Sequence, residues 1–145
     1  MKLLSLLTAV LLLTCLNAFA NEKSNSEAIG AYTAGCIRNS AALDLNGEGF
    51  QVIRPSRGRY YGHPETIEFI EYISAKAKND HGATLLIADI SQKTGGPMPD
   101  DHSSHQIGLD ADILLWQHPI ATKHTLTTTQ REHIHPQSVL NDTKT

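Results

Sequence analysis

The feature that most constrains the fold is an apolar run of strand length at residues 83–90. Such a run is typical of a strand buried on both faces of a sheet, and it needs a neighbouring strand on each side. A second run at residues 111–116 predicts one neighbour, and a short strand is predicted at residues 50–53, where Pro55 ends the pattern. Few apolar residues follow residue 116, so the small central sheet and its core are expected to be incomplete.

One amphipathic helix is predicted at residues 64–78. Pro64 suits the first turn, where its missing N–H leaves no bond unmade, and Gly82 suits the cap at the other end. Apolar residues recur at helical spacing and predict a buried stripe, which consists of Ile67, Ile70, Ile73 or Ser74, and Ala77. The stripe predicts a helix packed on one face of the sheet, and the fold class is therefore α+β.

The first 20 residues have the pattern of a signal peptide. Lys2 precedes an apolar run, and a small-x-small pattern ends at Ala20, where cleavage is predicted. The run is shorter than the roughly 20 apolar residues that a spanning helix needs, so no membrane anchor is expected after cleavage. Residues 21–28 are predicted to form a flexible leader and residues 29–145 a single domain.

Composition narrows the range of partners. The chain has 145 residues, enough for one domain, and a formal net charge of -3. Nucleic-acid-binding proteins usually carry a basic patch, so no nucleic-acid partner is expected. Cys36 would be the one cysteine left after signal cleavage. It stays free, bridges to another chain, or has its partner in a longer form of this chain.

Two histidines and two carboxylates lie close together around a glycine. His102 and His105 stand in a polar loop. Gly108 allows a tight approach of the backbone, after which Asp110 and Asp112 are predicted to share one face of the following strand. Zinc binds histidine nitrogen and carboxylate oxygen, and a catalytic zinc keeps one position open for water. Each pair alone is common by chance, but the combination predicts a zinc site.

Three segments, in order and at consistent spacing, carry a family resemblance. Residues 104–113 read Ser-His-Gln-Ile-Gly-Leu-Asp-Ala-Asp-Ile, and residues 54–64 form an Arg-rich segment that ends in Gly-His-Pro. Residues 29–36 read Ile-Gly-Ala-Tyr-Thr-Ala-Gly-Cys. Together they resemble the penicillin-insensitive murein endopeptidases, which are grouped with the lysostaphin- and hedgehog-like zinc peptidases. The resemblance covers about residues 29–116.

The resemblance implies a hedgehog- or DD-peptidase-like fold and a periplasmic zinc metalloendopeptidase. The implied substrate is the D-alanyl–meso-diaminopimelyl cross-link between peptidoglycan stem peptides. The family pattern makes His105 and Asp112 zinc ligands and His102 a further histidine of the metal site, and Asp110 is expected to orient a ligating histidine. The family's remaining ligand and its catalytic base come from a later His-x-His strand. Residues 29–145 are therefore expected to be the N-terminal part of the domain, with the base beyond the chain end.

Three arginines fall within six residues, at positions 54, 57 and 59. They are typical either of a solvated turn or of a site for an anionic substrate. We expect Arg54, Arg57 and His63 to contact the carboxylates of the stem peptide. His63 has an equally simple alternative role as a cap for the helix that begins at Pro64.

The chain contains its own His-x-His, formed by His133 and His135. Pro136 follows directly and does not suit a central strand, so this pair is not expected to supply the base. Without a base, the alternative function is a non-catalytic metal- or peptidoglycan-binding remnant. A zinc carboxypeptidase, or a serine hydrolase built on Ser103 or Ser104, fits the segments less well.

Overall fold

The computed structural model describes residues 25–99, 103–114 and 118–135. This part contains a long helix, α1 (Pro64–His81), a short helix, α2 (Thr128–His133), and a 3-10 turn at Pro55–Arg57. Its strands are β1 (Glu27–Ala31), β2 (Ala34–Arg38), β3 (Ala41–Ala42), β4 (Asn46–Gly47), β5 (Phe50–Val52), β6 (Tyr61–Gly62), β7 (Leu85–Ile87) and β8 (Ile113–Leu114). The predicted signal peptide lies outside the described residues. None of the helices described is long and apolar enough to cross a membrane.

Four strands form the central sheet in the order β4-β5-β7-β8. β5 and β7 are parallel, with Val52 opposite Ile87, while the two outer pairs are antiparallel. A parallel pair needs a long crossover, and α1 lies in the segment that connects these two strands. β7 therefore has a neighbour on each side, as its apolar sequence predicted.

α1 begins at Pro64 as predicted and ends at His81, three residues beyond the predicted end. Gly82 follows in the left-handed region, with φ 64°, and its N–H donates to the carbonyl oxygens of Ala77 and Lys78. A glycine reaches this conformation without the steric cost that a Cβ brings. The cap predicted from the sequence is therefore confirmed.

α1 buries Ile67, Ile70 and Ser74. Of the two alternatives predicted for the third position of the stripe, Ile73 and Ser74, the buried one is therefore Ser74. The loop before β5 packs directly on this turn, because a Cβ at Gly49 would lie only 2.0 Å from the carbonyl oxygen of Ser74. A small side chain suits such a close approach. The helix packs against β3, β5 and β6, which confirms the α+β class.

The sheet carries a buried apolar cluster on each face. α1 covers the first, which contains Leu43, Phe50, Val52, Ile67, Ile70, Ile87 and Ile90. The second contains Ile53, Leu86, Ala88, Leu114, Ala121, Leu126 and Ile134. Leu86 and Ile87 join different clusters because successive strand side chains point to opposite faces. Three apolar residues after residue 116, namely Ala121, Leu126 and Ile134, thus contribute to the second cluster.

Residues 27–38 form an N-terminal hairpin that was not predicted from the sequence. β1 and β2 pair in an antiparallel register that sets Glu27 opposite Arg38, and these exposed side chains form an ion pair of 2.6 Å. β1 begins inside the range predicted as a flexible leader, at residues 21–28. The hairpin was missed because alanine and glycine dominate it, so it lacks the apolar alternation that identifies a strand.

The two predicted buried strands are shorter than their apolar runs. β7 covers three residues and β8 two. Asp110 and Asp112 therefore precede β8, although they were predicted to lie on that strand. The main chain still pairs there, since Asp112 N–H donates to Asp89 O at 2.9 Å and Ala88 N–H donates to Asp112 O at 2.9 Å.

Candidate metal centre

His105 is buried in a strained backbone conformation. It is 5% exposed, and its φ of 66° lies in the left-handed region, which costs a residue with a Cβ about 1–2 kcal/mol. Its N–H donates to Oδ2 of Asp110 at 3.2 Å, which closes the loop that holds this conformation. Strain of this kind is often found where a functional site needs one fixed geometry.

The imidazole ring of His105 lies between two carboxylates. Nδ1 is 3.1 Å from Oδ2 of Asp110, and Nε2 is 3.5 Å from Oδ1 of Asp112. The Asp110 side chain is about one third exposed, whereas that of Asp112 is about half exposed. A carboxylate beside Nδ1 favours the tautomer with the proton there, which leaves the lone pair of Nε2 directed to the more open side.

The spacing of the two outer donors suits a metal ion. Tetrahedral zinc, bound at about 2.0–2.2 Å by nitrogen and oxygen, separates two such ligand atoms by about 3.4 Å. Nε2 of His105 and Oδ1 of Asp112 are 3.5 Å apart. Oδ1 of Asp110 is buried and accepts no hydrogen bond from any residue that the structure describes. Because a buried carboxylate oxygen is costly unless a donor or cation faces it, this donor set fits a cation.

These donors do not complete a metal site. Among residues 25–99, 103–114 and 118–135 there is no group of three or more His, Cys, Asp or Glu side chains arranged to hold an ion. His102, the third metal residue predicted from the sequence, lies outside the described residues. A zinc ion at His105 and Asp112 would therefore take at least one further ligand.

Gln106 connects the N-terminal hairpin to the segment at residues 103–112, which carries the candidate metal donors and is called the metal loop below. Its Nε2 donates to Thr33 O at 2.9 Å, and its Oε1 accepts from Gly35 N–H at 3.2 Å. Its own N–H donates to Tyr32 O at 3.2 Å. A single buried side chain beside His105 thus holds the turn between β1 and β2. Gln106 belongs to the segment at residues 104–113 that carries the resemblance, but its role was not predicted, because its partners lie about 70 positions away.

A buried ion pair lies behind Asp112. Oδ2 of Asp89 accepts from Nη1 of Arg59 at 3.1 Å and from Nη1 of Arg57 at 3.3 Å. The Arg59 guanidinium also donates to Pro99 O at 3.0 Å. Asp89 was not predicted as a site residue, although an acid inside an otherwise apolar strand run is a signal that could have identified it.

The remaining predicted residues differ in how they are connected to this centre. His63 caps α1, because its Nδ1 accepts from Glu65 N–H at 3.4 Å. Its own N–H donates to Gly108 O at 2.9 Å, which joins it to the metal loop. The Arg54 guanidinium instead donates to Ile134 O at 3.3 Å, towards the segment after α2. The structure therefore brings His105, Asp110 and Asp112 together but directs Arg54 elsewhere.

The local His-x-His pair does not lie on a strand. His133 is in the last turn of α2, with Nδ1 2.8 Å from Thr129 O of the same helix. His135 is exposed, and Ile134 between them is buried in the second apolar cluster. Glu132, beside this pair, contacts the 3-10 turn at Pro55–Arg57. Hydrogen bonds from Ser56 in that turn lower the pKa of the Glu132 carboxyl group.

Comparisons with known proteins agree on one family. The sequence profile described as penicillin-insensitive murein endopeptidase matches residues 28–145. A protein of that name from Haemophilus influenzae is 47% identical over 95 residues, which cover 66% of this chain and 33% of that protein. One from Klebsiella pneumoniae is 42% identical over 91 residues, or 63% of this chain and 33% of that protein. One from Escherichia coli is 38% identical over 91 residues, with the same shares. The chain thus spans about a third of the length of these relatives.

Proposed function

Because this chain belongs to the penicillin-insensitive murein endopeptidase family, we propose that it forms part of the active site of a zinc endopeptidase that cleaves peptidoglycan. The proposed bond is the D-alanyl–meso-diaminopimelyl cross-link, and the proposed compartment is the periplasm. The shared name of the relatives supports murein as the substrate, and the signal peptide predicted at residues 1–20 supports export.

The observation that carries the proposal is the position of His105 between two carboxylates. Asp110 holds the main chain and lies beside Nδ1, while Asp112 lies beside Nε2 at 3.5 Å. In this arrangement His105 and Asp112 are the ligands and Asp110 orients the imidazole, as carboxylates commonly do for ligating histidines. His102 is proposed as a further histidine of the same site.

The chain's own residues then have separate tasks. Asp112 is half exposed, so the open side of the centre can accept the scissile peptide. When bound there, zinc would lower the pKa of a water molecule and polarise the carbonyl of that peptide. Arg57 is 39% exposed and can donate to a carboxylate of the stem peptide. Arg54 and His63 are proposed as weaker substrate contacts: the Arg54 guanidinium donates to Ile134 O, and the His63 ring caps α1.

The test measures zinc content and cleavage in protein expressed from the complete gene. His105→Ala and Asp112→Ala should each reduce bound zinc from about one ion per chain to a trace, since two remaining ligands seldom hold the ion. His81→Ala removes an exposed histidine at the end of α1 and is the matched control. One zinc per chain in both site variants would contradict the assignment.

A second readout separates this function from the alternative. Release of monomers from a purified, cross-linked muropeptide dimer should depend on His105 and Asp112, and a chelator should abolish it reversibly. If the unsubstituted protein binds about one zinc ion per chain but does not cleave the dimer, a metal- or peptidoglycan-binding remnant would be favoured instead.

A further inference from the structure

Asp89 is the residue through which two parts of the candidate site are joined. Its carboxylate is 3% exposed and accepts from both Arg57 and Arg59 on the same oxygen, Oδ2. Its main-chain oxygen accepts from the N–H of Asp112 at 2.9 Å. A single residue therefore contacts a proposed zinc ligand through its backbone and two arginines through its side chain.

The two arginines differ in burial, and this difference indicates different roles. The Arg59 side chain is 6% exposed and is also bound to Pro99 O. A buried guanidinium needs a carboxylate to compensate its charge, so Arg59 and Asp89 form a buried ion pair whose position is fixed by the surrounding chain. The Arg57 side chain is 39% exposed. It keeps N–H donors available to solvent while Asp89 restrains one end of its guanidinium.

We propose that Asp89 is a positioning residue that aims Arg57 at a carboxylate of the stem peptide, at a fixed distance from the metal ligand Asp112. This inference rests on the proposed function, because it takes the stem peptide as the ligand. The fixed distance comes from the main-chain bond between Asp89 and Asp112, which a side-chain substitution leaves in place. Substrate binding and zinc binding should therefore respond differently when the carboxylate is removed.

The test compares Arg57→Ala, Asp89→Asn and the double variant in the protein from the complete gene. Each single variant should raise KM for a soluble cross-linked muropeptide dimer about tenfold or more, the effect of losing one charge-assisted hydrogen bond. Both kcat and zinc content should stay close to wild type, because this contact contributes equally to the ground and transition states. Arg38→Ala removes an exposed, ion-paired arginine of β2 and is the control.

The double variant decides whether Asp89 acts through Arg57. If it does, Asp89→Asn should weaken binding no further once Arg57 is alanine. Independent, multiplicative effects of the two substitutions, or a fall in kcat and zinc content at constant KM, would overturn the proposal. Should Asp89→Asn fail to fold, Asp89→Glu carries the same expectation, since it keeps the charge but displaces the carboxylate.

Binding of the same dimer to metal-free protein gives a readout that needs no catalysis. The dissociation constant should rise with each single substitution in parallel with KM. A wild-type protein that binds the dimer through Arg57 and Asp89 but neither binds zinc nor cleaves would refute the proposed function alone. A dissociation constant that neither substitution changes would refute the positioning role alone.

Discussion

Asp110 contacts His105 twice, and neither contact needs a metal ion. Oδ2 accepts from the main-chain N–H and lies beside Nδ1 of the ring. The backbone bond holds the left-handed conformation, and the second contact places a carboxylate 3.1 Å from Nδ1. At the residue scale, the candidate centre is thus organised by the chain itself before any ligand binds.

Asp110→Asn should therefore weaken zinc binding without unfolding the protein. The amide keeps the size and one acceptor oxygen, but it loses the charge that favours a proton on Nδ1. Loss of such a partner typically reduces metal affinity about 10- to 100-fold. Competition with a chromophoric chelator measures the change, and Asp44→Asn at an exposed position is the control. Equal affinities in the two variants would refute the orienting role.

Gly108 supports the same loop through its conformation and its close neighbours. Its φ is 69°, and a Cβ there would lie 2.9 Å from Gly62 Cα and 3.0 Å from His63 N. Gly58 offers a matched control, because its φ is 64° and nothing lies within 4 Å of its Cβ position. Gly58→Ala should cost only the left-handed strain, about 1–2 kcal/mol. Gly108→Ala should cost about 1–3 kcal/mol more through overpacking, as urea unfolding can measure. If the two substitutions lower the free energy of unfolding equally, the close neighbours of Gly108 add no destabilisation through overpacking.

At the scale of elements, the N-terminal hairpin depends on the metal loop for its position. β1 and β2 form their own two-stranded sheet, and an isolated hairpin is only marginally stable in water. Gln106 supplies hydrogen bonds to the turn, and a Cβ at Gly35 would meet Ile107 Cγ2 at 2.4 Å. The hairpin thus packs directly on the segment that follows His105.

Gln106→Ala should loosen the hairpin while the proposed zinc ligands, His105 and Asp112, remain in place. The amide of Gly35 loses its acceptor, so its hydrogen exchange should accelerate about tenfold, as expected for loss of one hydrogen bond. Gln92→Ala removes a comparable side-chain bond, to Pro97 O, and is the control. Unchanged exchange at Gly35 would show that the remaining contacts, which include the main-chain bond to Tyr32 O, hold the hairpin without this side chain.

At the scale of the whole molecule, α2 is fixed to the central sheet by a buried arginine. Arg131 is 4% exposed. Its guanidinium donates to Leu45 O at 2.9 Å, to Val52 O at 2.6 Å and to the Asn46 side chain. Burial lowers the pKa of this guanidinium, yet an arginine stays protonated in proteins. The charge is compensated by oxygens from the strand edge, so the second face of the sheet depends on a polar contact as well as an apolar one.

Arg131→Met should destabilise the fold by about 2–4 kcal/mol. Methionine occupies the space but removes the guanidinium donors from Val52 O and from the Asn46 side chain, while Leu45 O still accepts from the Val52 N–H. Each buried polar group that loses its partner costs about 1–3 kcal/mol. Urea unfolding measures the loss, with Lys123→Met at an exposed position as the control. A loss no larger than that of the control would contradict the anchoring role.

The fold and the candidate site were predictable from the sequence to different degrees. The start of α1 followed from Pro64 and its cap from Gly82, although the helix runs three residues past the predicted end, and the central position of β7 followed from its apolar run. The grouping of His105 with Asp110 and Asp112 followed from their spacing around Gly108. The hairpin was missed because alanine and glycine hide its strand pattern, although its strands pair locally. Gln106 and Asp89 were missed because their contacts join residues far apart in the chain.

The sequence by itself determined the main helix, the buried central strand and the histidine and carboxylates that meet at the candidate site. Periodicity, caps and spacing act over a few residues, so they can be read locally. Only the tertiary structure decided which nitrogen of His105 meets which carboxylate, and that Arg57 and Arg59 share Asp89. Asp89 and Arg59 are 30 positions apart, and Gln106 and Gly35 are 71. Such contacts depend on how the sheet, the loops and the hairpin pack, and no local pattern encodes that packing.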